Sequence, residues 1–167
     1  MDAQLQSWLE AKYGADARDP ELVRLQDFGE LALAGEVAVW HPLDDMHEAP
    51  RIPFAAAPKV QALWVGDELA GYVLQGPGSI ATWHDLGDAS TDTDRFFLLQ
   101  GNQAKAVIDW MNEDVEGFET LGGTDVVQTV DHPNGTRVVV IESLDGNAQV
   151  HAGYTEAGQL ACAFIEC

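Results

Sequence analysis

Positive charge is what this chain has least of. Eight lysines and arginines stand against 28 aspartates and glutamates, a formal net charge of −20 over 167 residues. Lysine is reduced to Lys12, Lys59 and Lys105. Nucleic acids and anionic membranes are bound by cations that displace counterions from phosphates, so this balance excludes both as partners. The same field attracts basic proteins and can speed their association by roughly 10–1000-fold at low salt. Aspartate exceeding glutamate with little lysine also suits a salt-adapted surface, and at this point the two readings of the acidity stay open.

Cysteine is scarce too. Cys162 and Cys167 do not make a disulfide framework. Cys162 alternates with Leu160 and Phe164, the pattern of a buried apolar side chain; Cys167 has no evident role, and no metal-ligand spacing includes either. Long apolar runs are missing: nothing approaches the ~18–20 residues of a membrane span. The N-terminus has no basic stretch leading into an apolar one, so a cytoplasmic location is expected. Signatures of nucleophilic and phosphate chemistry are missing as well. There is no Gly-x-Ser-x-Gly, and Gly76-Pro77-Gly78-Ser79 lacks the lysine and the spacing of a phosphate loop. No enzyme class and no cofactor is indicated.

What is present is an ordinary apolar content, 46%, enough for a core in one domain spanning residues 1–167. The sharpest stretch is 88–111. Phe96-Phe97-Leu98-Leu99 reads as a strand buried on both faces. Gly101-Asn102 breaks it, with Asn102 a candidate N-cap. Ala104, Val107, Ile108 and Met111 then share one helix face, and the pattern predicts a core-packed helix over 103–114.

Around that centre, Leu5, Trp8, Leu9 and Lys12 share one side of a helix over 3–13 that Gly14 ends. Asp19-Pro20 signals a second helix start, and 1–28 reads as an N-terminal helical segment. The period of Leu22, Val23, Leu25 and Phe28 fits a short helix or an opening strand. The remainder, 29–167, reads as mainly antiparallel strands. Hairpins are expected over 29–40 (turning at Ala34-Gly35), over 59–74 (turning at Gly66-Asp67-Glu68) and over 125–141 (turning at Asn134-Gly135). Residues 49–58 read as an ordered loop, 79–83 as a short strand, and 148–154 with 159–165 as two more strands. Strands do not alternate with helices. The expected class is α+β, with bent, mainly antiparallel sheet, one main packing helix and an N-terminal helix.

Two clusters of polar side chains stand out. Residues 41–48 hold His41, Asp44, Asp45, His47 and Glu48, ligand types for zinc or iron, at a spacing that matches no established site. Asp88, Ser90, Asp92 and Asp94 alternate like the oxygens of a calcium loop. The Gly and distal Glu of an EF-hand are missing there, and local Asx-type turns account for these side chains. A protein-binding surface needs apolar anchors for affinity and charge for steering. The candidate partner-binding surface is therefore Asp88, Asp92 and Asp94 at the mouth of the strand, with Asp109, Trp110, Glu113 and Asp114 on the outer flank of the helix.

Several pieces together resemble an uncharacterised bacterial domain family found beside polymorphic toxins. Gly29-Glu30-Leu31-Ala32-Leu33 followed by His41-Pro42-Leu43 is similar to that family's opening Gly-x-Leu-x-Leu segment and its Asp-Pro. Thr91-Asp92-Thr93-Asp94 before Phe96 and Phe97 is similar to its Asp-Ser/Thr-Gly segment ahead of a Phe-containing strand. Ser143, Asp145, Gly146, Gly153-Tyr154 and Gly158 stand where its closing turns do. His41 replaces the family's Asp, Asp94 replaces a Gly, and the glycine-rich turn is shorter. The resemblance implies an immunity or antitoxin-type protein that binds and neutralises a cognate, basic toxin, and it carries no catalytic residue. The alternatives are a small metal-binding or hydrolytic domain built on residues 41–48, and a salt-adapted structural protein.

Overall fold

The computed structural model describes residues 1–31, 33, 35–42, 45–91, 93–121, 125–143 and 146–167. Strand makes up 47% and helix 20%, in two antiparallel sheets with a few helices, an α+β fold. The elements run α1 (Ala3–Tyr13), β1 (Val23–Glu30), β2 (Gly35–Trp40), β3 (Arg51–Phe54), β4 (Lys59–Val65), β5 (Glu68–Gln75), β6 (Thr82–Ser90) and β7 (Arg95–Gln100). After these come α2 (Ala104–Glu113), α3 (Val115–Glu119), β8 (Val127–Asp131), β9 (Arg137–Glu142), β10 (Asn147–Tyr154) and β11 (Leu160–Glu166). One sheet has the order β1-β4-β5-β11-β10-β6 and the other β3-β2-β7-β9-β8.

The apolar pattern explains the layering. Phe96 and Leu98 on β7 face the core shared by the two sheets, where they join Val39, Tyr72, Leu74, Ile141 and Ile165. Phe97 and Leu99, alternating with them, face outward and are covered by Val107 and Trp110 of α2 and Phe118 of α3. β7 is thus buried on both faces, as its unbroken apolar run predicts. Each sheet carries helix on its outer face, because α1 covers Leu63, Val73, Cys162 and Phe164 of the six-stranded sheet. Burial pushes the Cys162 thiol up to about 12, which suits a packing role. Tyr72 ties the sheets together: its hydroxyl donates to the carbonyls of Val126 (3.0 Å) and Glu142 (2.8 Å).

α1 is fastened at both ends. Asp2 caps it, accepting from the amides of Gln4 and Leu5, and also accepts from Trp83 Nε1 (2.9 Å) on β6. Near the other end Lys12 Nζ donates to the Cys167 carbonyl (2.5 Å) and lies 3.8 Å from Glu166 Oε1. Trp8 stacks on the buried His151 ring (4.3 Å), whose Nε2 lies 3.7 Å from Glu166 Oε2. His151, and after it Lys12, holds the Glu166 carboxyl below its ordinary value. A carboxylate lowered in the folded state contributes stability that is complete above the unfolded value, about 4.3, and lost as pH falls through the folded one. Glu166→Gln is therefore expected to flatten the acid-side loss of stability, measured as urea midpoints at pH 5 and pH 3; the same midpoint difference in both proteins would show that Glu166 does not contribute.

Several expectations are corrected. Residues 29–40 are not a hairpin: β1 pairs with β4 in one sheet, and β2 pairs with β3 and β7 in the other. Leu31 and Leu33 alternate because they are buried where the chain crosses between sheets, and Ala34 lies outside the described residues. The 1–28 segment is not all helical: Asp19 starts a turn, accepting the amides of Leu22 and Val23, and β1 follows directly. The strand expected over 79–83 is the nine-residue β6, whose exposure as an edge strand hides its period. The 49–58 loop contains β3. Asn102 is not an N-cap, since Gly101–Gln103 forms a 3-10 turn that leads into α2 without a side-chain cap. The helix expected over 103–114 ends at Glu113 and is followed by a second, α3.

Candidate partner-binding site

The corner where α2 meets α3 is made by one residue. Asp114 donates its backbone N–H to the Trp110 carbonyl, closing α2, while its Oδ1 accepts from the Gly117 amide (3.0 Å), opening α3. This carboxylate is both a cap and part of the surface. The turn swings Phe118 back under the helices. Its ring stacks on Phe97 of β7 (5.1 Å, 15°) and meets Trp110 edge to face (5.7 Å, 89°). Trp110, only 6% exposed, also lies 4.6 Å from the His132 ring. It belongs to the core and is no surface anchor.

Beside this aromatic cluster lies an apolar cavity of about 270 Å³. Phe97 and Phe118 form its apolar interior, with Met111 and Leu121 on the walls and Val115, 53% exposed, at its lip. His41, buried with its ring 6.0 Å from Phe97, lines it as well. So does Arg95, whose guanidinium donates to the carbonyls of Glu119 (3.2 Å) and Leu121, holding the chain that leaves α3. Glu119 lines it too, and the helical segment 104–119 as a whole carries Asp109, Glu113, Asp114, Glu116 and Glu119 against one base, Lys105. Lys105 is spent on Asp109 (2.5 Å, i,i+4). The arrangement is an apolar socket, lined by one acid and one base, on a predominantly acidic helical corner.

The expected surface residues therefore separate. Asp109, Glu113 and Asp114 are exposed on this corner. Asp94 is exposed in the turn before β7, its carbonyl accepting from the Ser143 amide (2.8 Å), and the neighbouring Thr93 lines the socket. Asp88 is exposed on β6, in the other sheet, where it shares a cavity of about 140 Å³ with Asp45 and Glu48. Asp92 lies outside the described residues, as does Asp44 of the 41–48 cluster. Within that cluster His41 turns inward, whereas His47 is exposed with its amide on Asp45 Oδ1 (2.9 Å).

Sequence reasoning missed Val115, Phe118 and Glu119. The signal was present in Val115-Glu116-Gly117-Phe118, one short amphipathic turn after an Asp, but five residues are too few for a period to show. Among the described residues no group of three or more His, Cys, Asp or Glu could hold a metal ion. No helix among them is long and apolar enough to cross a membrane. Compared with protein-family models, with curated proteins and with solved structures, the chain matches none of them.

Proposed function

We propose that this protein is an immunity-type binding module that neutralises a basic protein partner, a toxin, by seating it on the α2–α3 corner. The observation that carries this reading is the apolar socket of Phe97, Met111, Val115 and Phe118, with Glu119 beside it, on a helical corner whose segment 104–119 carries five acidic side chains. An apolar side chain of the partner fills the socket and excludes water. Its flanking lysines and arginines meet the acidic side chains of the helical corner, and the net charge of −20 steers it in. Acidic side chains that stand in for a polyanionic substrate would cover the cationic site of a nuclease, which is how such a module would inhibit.

The test is binding to the product of the reading frame next to this one, measured at about 0.05 M and about 0.5 M salt. The affinity is expected to fall at least about tenfold across that range. Val115→Ser is expected to weaken binding at both salts, because it removes the apolar lip. Glu113→Lys with Glu116→Lys is expected to weaken it and to shrink the salt dependence. No binding, binding indifferent to salt, or binding untouched by both variants would overturn the reading.

A further inference from the structure

The size and walls of the socket beside Phe97 and Phe118 restrict what can fill it. A cavity of about 150 Å³ lined by leucine, isoleucine and phenylalanine takes up benzene, and this socket, at about 270 Å³, has room for a larger ring. A valine or leucine side chain would leave much of it empty, and a void forfeits the contacts of the atoms around it. A phenyl, phenol or indole ring fills it better.

The walls favour a ring as well. Phe97 and Phe118 stack on each other (5.1 Å, 15°), and Met111 adds a thioether, which packs favourably against aromatic rings. These walls are held in place. Phe118 meets Trp110 edge to face (5.7 Å, 89°), the Asp114 carboxylate caps α3 on the Gly117 amide (3.0 Å), and Arg95 donates to the carbonyls of Glu119 and Leu121. A socket set beforehand takes a rigid ring, with few torsions to freeze, at the least entropic cost.

The charged part of the lining points to what stands beside the ring. The Arg95 guanidinium is turned to backbone carbonyls. Glu119 is exposed, and among the described residues no ion pair engages its carboxylate. Asp109, Glu113, Asp114 and Glu116 share its segment with one base, Lys105, which is paired with Asp109. A cation next to the ring is therefore the complementary neighbour. Resting on the reading of this corner as the partner's seat, we propose that the partner's anchor is an aromatic side chain with a lysine or arginine beside it in sequence. The ring enters the socket and the cation meets Glu119. Glu119 then sets specificity, favouring a ring flanked by bases over the same ring flanked by acids.

Three blocked tripeptides test this without the partner: Lys-Trp-Lys, Lys-Leu-Lys with the same charge, and Glu-Trp-Glu with the same ring. Each is titrated into the millimolar range against the full chain at low salt, and the NMR signals of the Met111 and Val115 methyl groups are followed. Lys-Trp-Lys is expected to shift both signals and to bind at least about threefold more tightly than Lys-Leu-Lys, from what an aromatic contact adds beyond its area. It is expected to bind more tightly than Glu-Trp-Glu too, and Glu119→Gln to shrink that preference about two- to fivefold, the worth of an exposed ion pair. Glu21→Gln removes an exposed acid ahead of β1, in the other sheet, and is expected to shrink it less. Lys-Leu-Lys binding as tightly as Lys-Trp-Lys would overturn the proposal. So would a preference that Glu119→Gln leaves unchanged or Glu21→Gln shrinks as much, or the absence of any shift at Met111 and Val115. A neighbouring product that binds through Val115 while the tripeptides fail would leave the binding reading standing and remove this anchor. Tripeptides that behave as expected while that product does not bind would overturn the binding reading and keep the chemistry of the socket.

Discussion

Gly71→Ala is expected to leave little or no stable fold. Gly71 sits in β5 between two strands, opposite Leu63 on β4 and Glu166 on β11. A Cβ built there runs into the Ile165 carbonyl oxygen and comes within 2.9 Å of Phe164 Cε2 and 3.1 Å of the Glu166 Cα. Two of those obstacles are backbone, which cannot rotate away as a side chain would. The φ of 151° is one that side chains rarely adopt, so strain is added to the clash. Overpacking in a sound core costs about 1–3 kcal/mol. Here relief requires moving β11 off β5 in the middle of the six-stranded sheet, so the upper end or beyond is expected. Against a total stability of about 5–15 kcal/mol this is a large share. Urea unfolding followed by tryptophan fluorescence measures it, and a variant melting within a few degrees of the parent would show that the two strands can part cheaply.

Phe118→Ala is the second large effect, and it reaches the site as well as the fold. Phe118 is buried between Phe97 and Trp110, and α3 has no other buried side chain to hold it against the sheet. Truncating a buried phenylalanine costs about 3–5 kcal/mol, the loss growing with the cavity left behind. The loss should be local in its consequences, because the core between the sheets does not include this residue. Hydrogen exchange is expected to rise first across 114–121, and binding at the corner should vanish even at temperatures where the rest of the fold survives. Phe118→Leu is expected to recover most of the stability and part of the binding. A Phe118→Ala protein with parental stability would mean that α3 docks by other contacts, while parental binding would separate the socket from the interface.

Which parts of this architecture could be read along the chain follows from the range of the forces involved. Phe96 to Leu99 showed a doubly buried strand because each side chain is apolar whatever covers it. Leu5, Leu9 and Val107 showed their helix faces through spacing alone, and Asn134-Gly135 marked the β8–β9 turn through backbone preference. These are local properties, carried by a few consecutive residues. The −20 charge is likewise complete in the composition, and it restricts the kind of partner before any fold is known.

The partition of strands between the sheets is another matter. Leu31 and Leu33 alternate as a hairpin strand would, yet they bridge two sheets, because burial period does not say which neighbour does the burying. Trp110 sits off the main apolar stripe of α2, and it is buried because α3 folds Phe118 back against it and the β8–β9 turn brings His132. Asp88 and Asp94, six positions apart, end on different sheets' margins, while Glu119 and Thr93, far apart in the chain, line one socket. Contacts across such separations depend on how whole layers stack, and stacking is settled by the sum of many weak apolar contacts. Tertiary packing therefore took Trp110 from the surface, left Val115 exposed there in its stead, and folded Phe118 beneath the helices as the inner lining of a cavity.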